Sequence, residues 1–106
     1  MNIEQYSMYQ FDLSFYEKDG KKVEDIMYGV VISPNEMNEM LQTVIVAPLC
    51  NGCAITPTTF LIDNQTRIKL DQLTTISKTR VLEYFDKLDK SQIPKIKKVL
   101  EEMLIK

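Results

Sequence analysis

Apolar residues run along this chain in short blocks rather than in long helical stripes. Two blocks, Tyr28-Gly29-Val30-Val31-Ile32-Ser33 and Thr43-Val44-Ile45-Val46-Ala47-Pro48, are rich in β-branched residues and free of charge, the pattern of central strands buried on both faces. Upstream, Tyr6 to Leu13 alternates with aromatic residues on both parities, which predicts a strand partly covered on each face. The charged stretch from Ser14 to Asp25 holds Asp19-Gly20, a strong turn dipeptide, and reads as a long hairpin loop. Ser33-Pro34-Asn35-Glu36 reads as a helix start, with Ser33 as N-cap, Pro34 at the first helical position and Glu36 at the capping-box position. Met37, Met40 and Leu41 follow at helical spacing, so the expected helix is short, about two turns. The strand from Thr43 is expected to end at Pro48, which cannot donate to a ladder, and Asn51-Gly52 marks a turn.

In the second half, Thr58 to Ile62 and Arg67 to Leu70 flank the polar turn Asp63-Asn64-Gln65 and predict a hairpin. Leu73 to Ile76 can extend the sheet. Val81 to Leu88 fits a helical face as well as a strand. After Ser91, the apolar residues Ile93, Ile96, Leu100, Met103 and Leu104 recur on one helical face, with Pro94 tolerated in the first turn, and predict an amphipathic C-terminal helix. Strands dominate three quarters of the chain and a helix closes it, so the expected class is α+β, mostly β: a small, strongly curved sheet or barrel sealed by helices.

The 106 residues fit one domain spanning 1–106, large enough to bury a modest core without disulfides or metals. No apolar run approaches the roughly 20 residues of a membrane-spanning helix, and the N-terminus lacks the basic-then-apolar pattern of a secretion signal. The protein therefore reads as cytoplasmic, without a membrane partner. Two cysteines give no disulfide framework, in keeping with a reducing compartment. The net charge of -2 is uneven: residues 1–40 carry eight acids against three bases, and residues 87–106 six lysines against three acids. Nucleic-acid binders concentrate cations where phosphates lie. Here only the C-terminal segment is biased that way, weakly, and the plain reading of its lysines is the solvated face of a helix.

The run Met27 to Ser33, the residue Asn38, the element Pro48-Leu49-Cys50 and the stretch Leu70-Asp71-Gln72-Leu73-Thr74-Thr75-Ile76-Ser77-Lys78-Thr79-Arg80 together resemble the MazF/PemK family of toxin-antitoxin ribonucleases. The resemblance covers nearly the whole chain. It implies an SH3-like barrel with a short helix after the second strand, a homodimer, an antitoxin as partner, and metal-independent cleavage of single-stranded RNA through its 2′-hydroxyl, with no cofactor. The family's arginine in the first motif, its threonine in the second and its arginine in the third correspond to Met27, Cys50 and Thr74 of this chain. Asp71, Gln72, Thr74 and Ser77 fall in the segment that lines the family's RNA groove. Arg80 reads as structural.

Cleaving RNA this way needs a group to move the 2′-hydroxyl proton, a proton donor for the leaving oxygen, and positive charge on the phosphorane. Met27 supplies none of these, and the chain contains no histidine, the commonest replacement acid or base. Cys50 is the one candidate catalytic residue, as a thiolate, but no neighbouring cation is evident in the sequence; the plain reading is a small, half-buried residue at a strand end. Cys50-Asn51-Gly52-Cys53 spells C-x-x-C, yet a zinc site wants four ligands and a redox pair normally opens a helix, so neither metal nor redox use is expected. The acids Glu17, Asp19, Glu24 and Asp25 correspond to the family's loop beside the active site and would repel phosphates. The expected function is thus a toxin-like scaffold that binds an antitoxin, with ribonuclease activity impaired or absent. The alternatives are an active single-stranded RNA endoribonuclease with a rearranged site, and a CcdB-like gyrase inhibitor, disfavoured because the chain has no tryptophan.

Overall fold

The computed structural model describes residues 2–54, 56–63 and 65–105. In chain order the strands are β1 (Ser7–Asp12), β2 (Phe15–Tyr16), β3 (Lys22–Val23), β4 (Ile26–Val31), β5 (Thr43–Asn51), β6 (Thr59–Leu61), β7 (Thr66–Lys69), β8 (Thr74–Ser77) and β9 (Val81–Lys87). Helix α1 (Asn35–Met40) lies between β4 and β5, and α2 (Ile93–Leu104) closes the chain. One antiparallel sheet runs β6-β7-β5-β4-β1-β9, with β8 joining the edge of β5 that β7 also uses; β2 and β3 form a separate ribbon. The fold is α+β and mostly β, as the block pattern predicts.

The charge-free blocks become β4 and β5 because the centre of the sheet is covered on both sides. Tyr9, Phe11, Val31, Val44, Val46 and Ile76 pack on one face with Ile3; Met8, Val30, Ala47, Ile68, Leu70 and Leu88 pack on the other with Ile96 of α2. Successive strand residues alternate between these two clusters, so a run such as Val30-Val31 feeds both. Gly29 sits where the two central strands touch: a Cβ there would lie 2.4 Å from Val46 Cγ1 and 3.1 Å from the Ala47 carbonyl oxygen.

Several local expectations change in the folded chain. Ser33 does not cap α1, whose N-cap is Pro34 with no side-chain hydrogen bond. Instead the buried Ser33 hydroxyl donates to Asn38 Oδ1 at 2.5 Å and accepts from the Ile45 amide at 3.1 Å, while Asn38 Nδ2 donates to the Ser33 carbonyl at 2.9 Å. The helix turns this asparagine inward and leaves Met37, Met40 and Leu41 exposed, because a buried amide satisfied on both sides fixes its orientation more firmly than its marginal apolar residues. Pro48 does not end β5. It pairs with Gly29, and on the opposite edge it falls in the gap between the β8 partners (Thr43 to Val46) and the β7 partners (Leu49 to Asn51), where no donor is needed.

The ambiguous segment Val81 to Lys87 is a strand, an outermost one, pairing with β1 through two register shifts that twist it. The turn at Asp19-Gly20 forms as expected, with Gly20 at φ 86° and the β2–β3 ribbon around it. The hairpin β6–β7 forms as well, although its Asn64 lies outside the described residues. Helix α2 begins two residues after Ser91 and lays Ile96, Val99, Leu100 and Met103 on the second cluster, while Leu104 faces out. Among the described residues no helix is long and apolar enough to cross a membrane.

Three substitutions test this packing by urea denaturation. Gly29→Ala drives a methyl into Val46 and is expected to cost about 1–3 kcal/mol. Ser33→Ala leaves the Ile45 amide and Asn38 Oδ1 without their partner and is expected to cost about 1–3 kcal/mol. Ser7→Ala has the opposite sign: the Ser7 hydroxyl is buried without a hydrogen-bond partner, so its removal is expected to be neutral or stabilising.

Candidate functional site

The pairing of β4 with β5 ends at Gly29 and Pro48. Carried two residues further, the same register would set Met27 opposite Cys50, but there the strands part. Met27 packs against the first hydrophobic cluster. The parting opens a cleft of about 210 Å³ lined by Tyr28, Leu49, Cys50, Asn51, Thr66 and Phe85. Tyr28 and Phe85 meet edge to face, their ring centroids 5.7 Å apart, and both remain about half exposed. Thr66 Oγ1 donates to Asn51 Oδ1 at 2.9 Å and ties the wall on β7 to the end of β5.

Two further clefts continue from this one around the Asn51-Gly52 turn. The second, about 430 Å³, shares Asn51 and adds Gly52, Cys53, Gln65 and Arg67; the third, about 180 Å³, shares Cys53 and adds Lys69, Asp71 and Gln72 with Ala54, Thr56 and Thr59. Arg67 and Lys69 alternate with the buried Ile68 and therefore lie on one face of β7. Arg67 is in register with Cys50, and directly opposed residues carry Cβ atoms roughly 5 Å apart. A cation thus stands across the strand from Cys50. The sequence concealed it because the two residues are 17 positions apart and only the pairing of β5 with β7 joins them.

Cys50 is not the free thiol that the sequence suggested. Gly52, at φ 70°, reverses the chain, so that Cys50 and Cys53 have Cα atoms 6.0 Å apart and bonded sulfurs. Among the described residues no group of three or more histidine, cysteine, aspartate or glutamate side chains is arranged to hold a metal ion.

The other predicted site residues divide. Asp71 and Gln72 stand exposed on a 3₁₀ turn, Leu70–Gln72, beside Cys53. Thr74 opens β8, exposed, paired with Val46. Ser77 is placed apart: it pairs with Thr43, seven residues before Cys50 and so roughly 23 Å along the strand, and its hydroxyl accepts from the Thr79 amide in the following turn. Arg80 is structural as expected, donating to the carbonyl oxygens of Asp12 and Ser14 at 2.9 and 3.2 Å, where the chain leaves β1 for the acidic ribbon. Sequence reading missed Arg67, Thr66 and the Tyr28–Phe85 pair; their nearness depends on register.

The hairpin that presents Arg67 is closed by Asp63, whose carboxylate accepts from the Gln65 and Thr66 amides at 2.9 Å each. These bonds hold its pKa below the usual carboxylate value. A lowered pKa means that the turn is supported above the ordinary aspartate value and loses that support as pH falls through the lowered one. The Gln65 and Thr66 amide resonances should therefore titrate together by NMR with a midpoint below 3.8, and Asp63→Asn should abolish that titration.

Comparison with known proteins places this geometry. A family model, PemK-like, MazF-like toxin of type II toxin-antitoxin system, matches residues 4–104. No curated protein matches the sequence significantly. An endoribonuclease in complex with its cognate antitoxin from a mycobacterial species superposes with a TM-score of 0.80 at 17% identity, covering 96% of this chain and 94% of that one. MazE-MazF from Deinococcus radiodurans gives 0.81 at 12% identity, covering 98% and 96%. The toxin MazF-mt6 of Mycobacterium tuberculosis gives 0.73 at 15% identity, covering 91% and 93%. At these identities the superpositions speak for the fold.

Proposed function

The chain belongs to the PemK-like, MazF-like toxins of type II toxin-antitoxin systems, and we propose that it is a homodimeric toxin scaffold that binds an antitoxin and whose metal-independent ribonuclease activity is impaired or absent. The observation that carries this reading is the junction of β4 and β5. Where the family resemblance calls for an arginine, Met27 packs into the hydrophobic cluster; where it calls for a threonine hydroxyl, the Cys50 sulfur is bonded to Cys53. Neither can hold charge on a phosphorane or move a proton.

Surface for partners is plentiful. The outermost strand β9 exposes Leu82, Tyr84 and Phe85, and the end of α2 exposes Leu104 and Ile105, apolar area of the kind that marks interaction sites. A mycobacterial endoribonuclease of the same fold has been solved with its cognate antitoxin, which supports the same class of partner here. Single-stranded RNA remains a ligand of the proposed scaffold through the clefts around Cys50, one of which Asp71 and Gln72 line.

A second reading, an active endoribonuclease with a rearranged site, has one observation in its favour: Arg67 stands opposite Cys50 and supplies from β7 the cation that position 27 lacks.

Cleavage of a long single-stranded RNA in EDTA separates the two. The unmodified chain is expected to be silent, while the chain carrying Met27→Arg, Cys50→Thr and Thr74→Arg together is expected to cut, since each preorganised donor or charge contributes roughly 100- to 1000-fold. Cutting by the unmodified chain that disappears in Arg67→Gln would instead establish the rearranged site. A monomer in light scattering at micromolar concentration would overturn the dimer.

A further inference from the structure

The turn that ends β5 brings together more chemistry than the proposed scaffold uses. Cys50 and Cys53 are only half buried, their sulfurs are joined, and the turn between them is exposed, with Gly52 held to the Gln65 carbonyl at 3.1 Å. The bond cannot serve chiefly as a staple. It closes a loop of sequence separation 3, whereas stabilisation by a cross-link grows with the length of chain it closes, and neither cysteine belongs to either hydrophobic cluster. Arg67 lies across the strand from Cys50 and lines the same cleft as Cys53. A guanidinium beside a thiol favours the thiolate, the form that attacks disulfides. Lys69 and Asp71 face Cys53 from the adjoining cleft and offset one another in charge, so Arg67 is the uncompensated ion at the pair.

We propose that Cys50 and Cys53 form a reversible thiol–disulfide exchange site for low-molecular-mass disulfides of the glutathione class, with Cys50 as the attacking and Cys53 as the resolving residue. In the oxidising direction the Cys50 thiolate attacks one sulfur of the small disulfide; its S–S bond breaks, a small thiolate departs, and a mixed disulfide remains on Cys50. The Cys53 thiolate then attacks the Cys50 sulfur, the protein S–S bond forms, and the second small thiolate leaves. The two protons of the protein thiols end on the two released thiols, the protein loses two electrons and the small disulfide gains them. Excess small thiol runs the same steps backwards. The consequence for the site rests on the reading above: oxidation ties the Cys50 sulfur to Cys53 beside the cleft, and reduction frees it, so the cleft exists in two chemical forms. The exchange itself does not depend on that reading.

The test uses the full chain equilibrated with graded mixtures of reduced and oxidised glutathione, quenched with acid and an alkylating agent, and weighed intact. The oxidised fraction is expected to rise continuously with the proportion of oxidised glutathione and to reverse with excess reduced glutathione. Cys53→Ser should accumulate a single glutathione on Cys50. In that background Arg67→Gln should slow alkylation of Cys50 at neutral pH about threefold or more, as a rise of half a pKa unit does when the thiolate is the minor form, and Arg67→Lys should restore most of the rate. A pair that stays wholly oxidised or wholly reduced across the series, glutathione captured faster by Cys53 in Cys50→Ser than by Cys50 in Cys53→Ser, or an unchanged rate in Arg67→Gln would overturn the proposal. Equal RNA binding by the two redox forms would overturn the consequence for the cleft and leave the exchange standing.

Discussion

Contact between β4 and β5, with both faces of the pair covered, is the constraint on which the other elements depend. Val30 and Ala47 face one cluster, Val31 and Val46 the other, and the strands approach so closely that only a glycine fits at position 29. Two-sided burial removes several fully apolar side chains from water, at about 25 cal/mol for each Å² of apolar surface. It also obliges the rest of the chain to supply two covers. The N-terminal segment and β8 furnish one; α2 and the β6–β7 hairpin furnish the other.

The same contact determines where the clefts can be. Strand β5 has one edge for β4 and shares its other edge between β8 and β7. On the N-terminal side of Gly29, β4 departs from β5, so among the described residues the last residues of β5 pair with β7 alone, and the space left is walled by the aromatic pair Tyr28 and Phe85. A strand end paired on one side only is a natural place for side chains to meet a ligand, since the scaffold positions them without burying them. The proposed loss of cleavage and the proposed thiol exchange therefore concern one small region.

Much of the fold was legible because periodicity and turn chemistry are local. Charge-free β-branched runs gave the central strands, Asp19-Gly20 and the polar turn after Ile62 gave the hairpins, and the spacing of Ile96, Leu100 and Met103 gave the closing helix. The misreadings share a cause. Ser33-Pro34-Asn35-Glu36 has the local form of a capping box, but the Ser33 hydroxyl is claimed by Asn38 and by the Ile45 amide, and the latter lies twelve residues away. Pro48 has the local form of a strand end, yet it sits where its edge needs no donor. The segment Val81 to Lys87 satisfied two periods, and pairing with β1 decided between them.

By itself the sequence determined the class of fold, the family, and the absence of arginine and threonine from the positions where the resemblance expects them, since all of these reside in residue identities and short spacings. Only the tertiary structure decided that Met27 packs into a hydrophobic cluster, that Cys50 bonds to Cys53, and that Arg67 stands across from Cys50 while Ser77, on β8, pairs with the opposite end of β5. The physical reason is register. A one-residue slip in β5 or β7 would send every side chain to the opposite face, and that choice is made by burial of the whole sheet rather than by any segment of it.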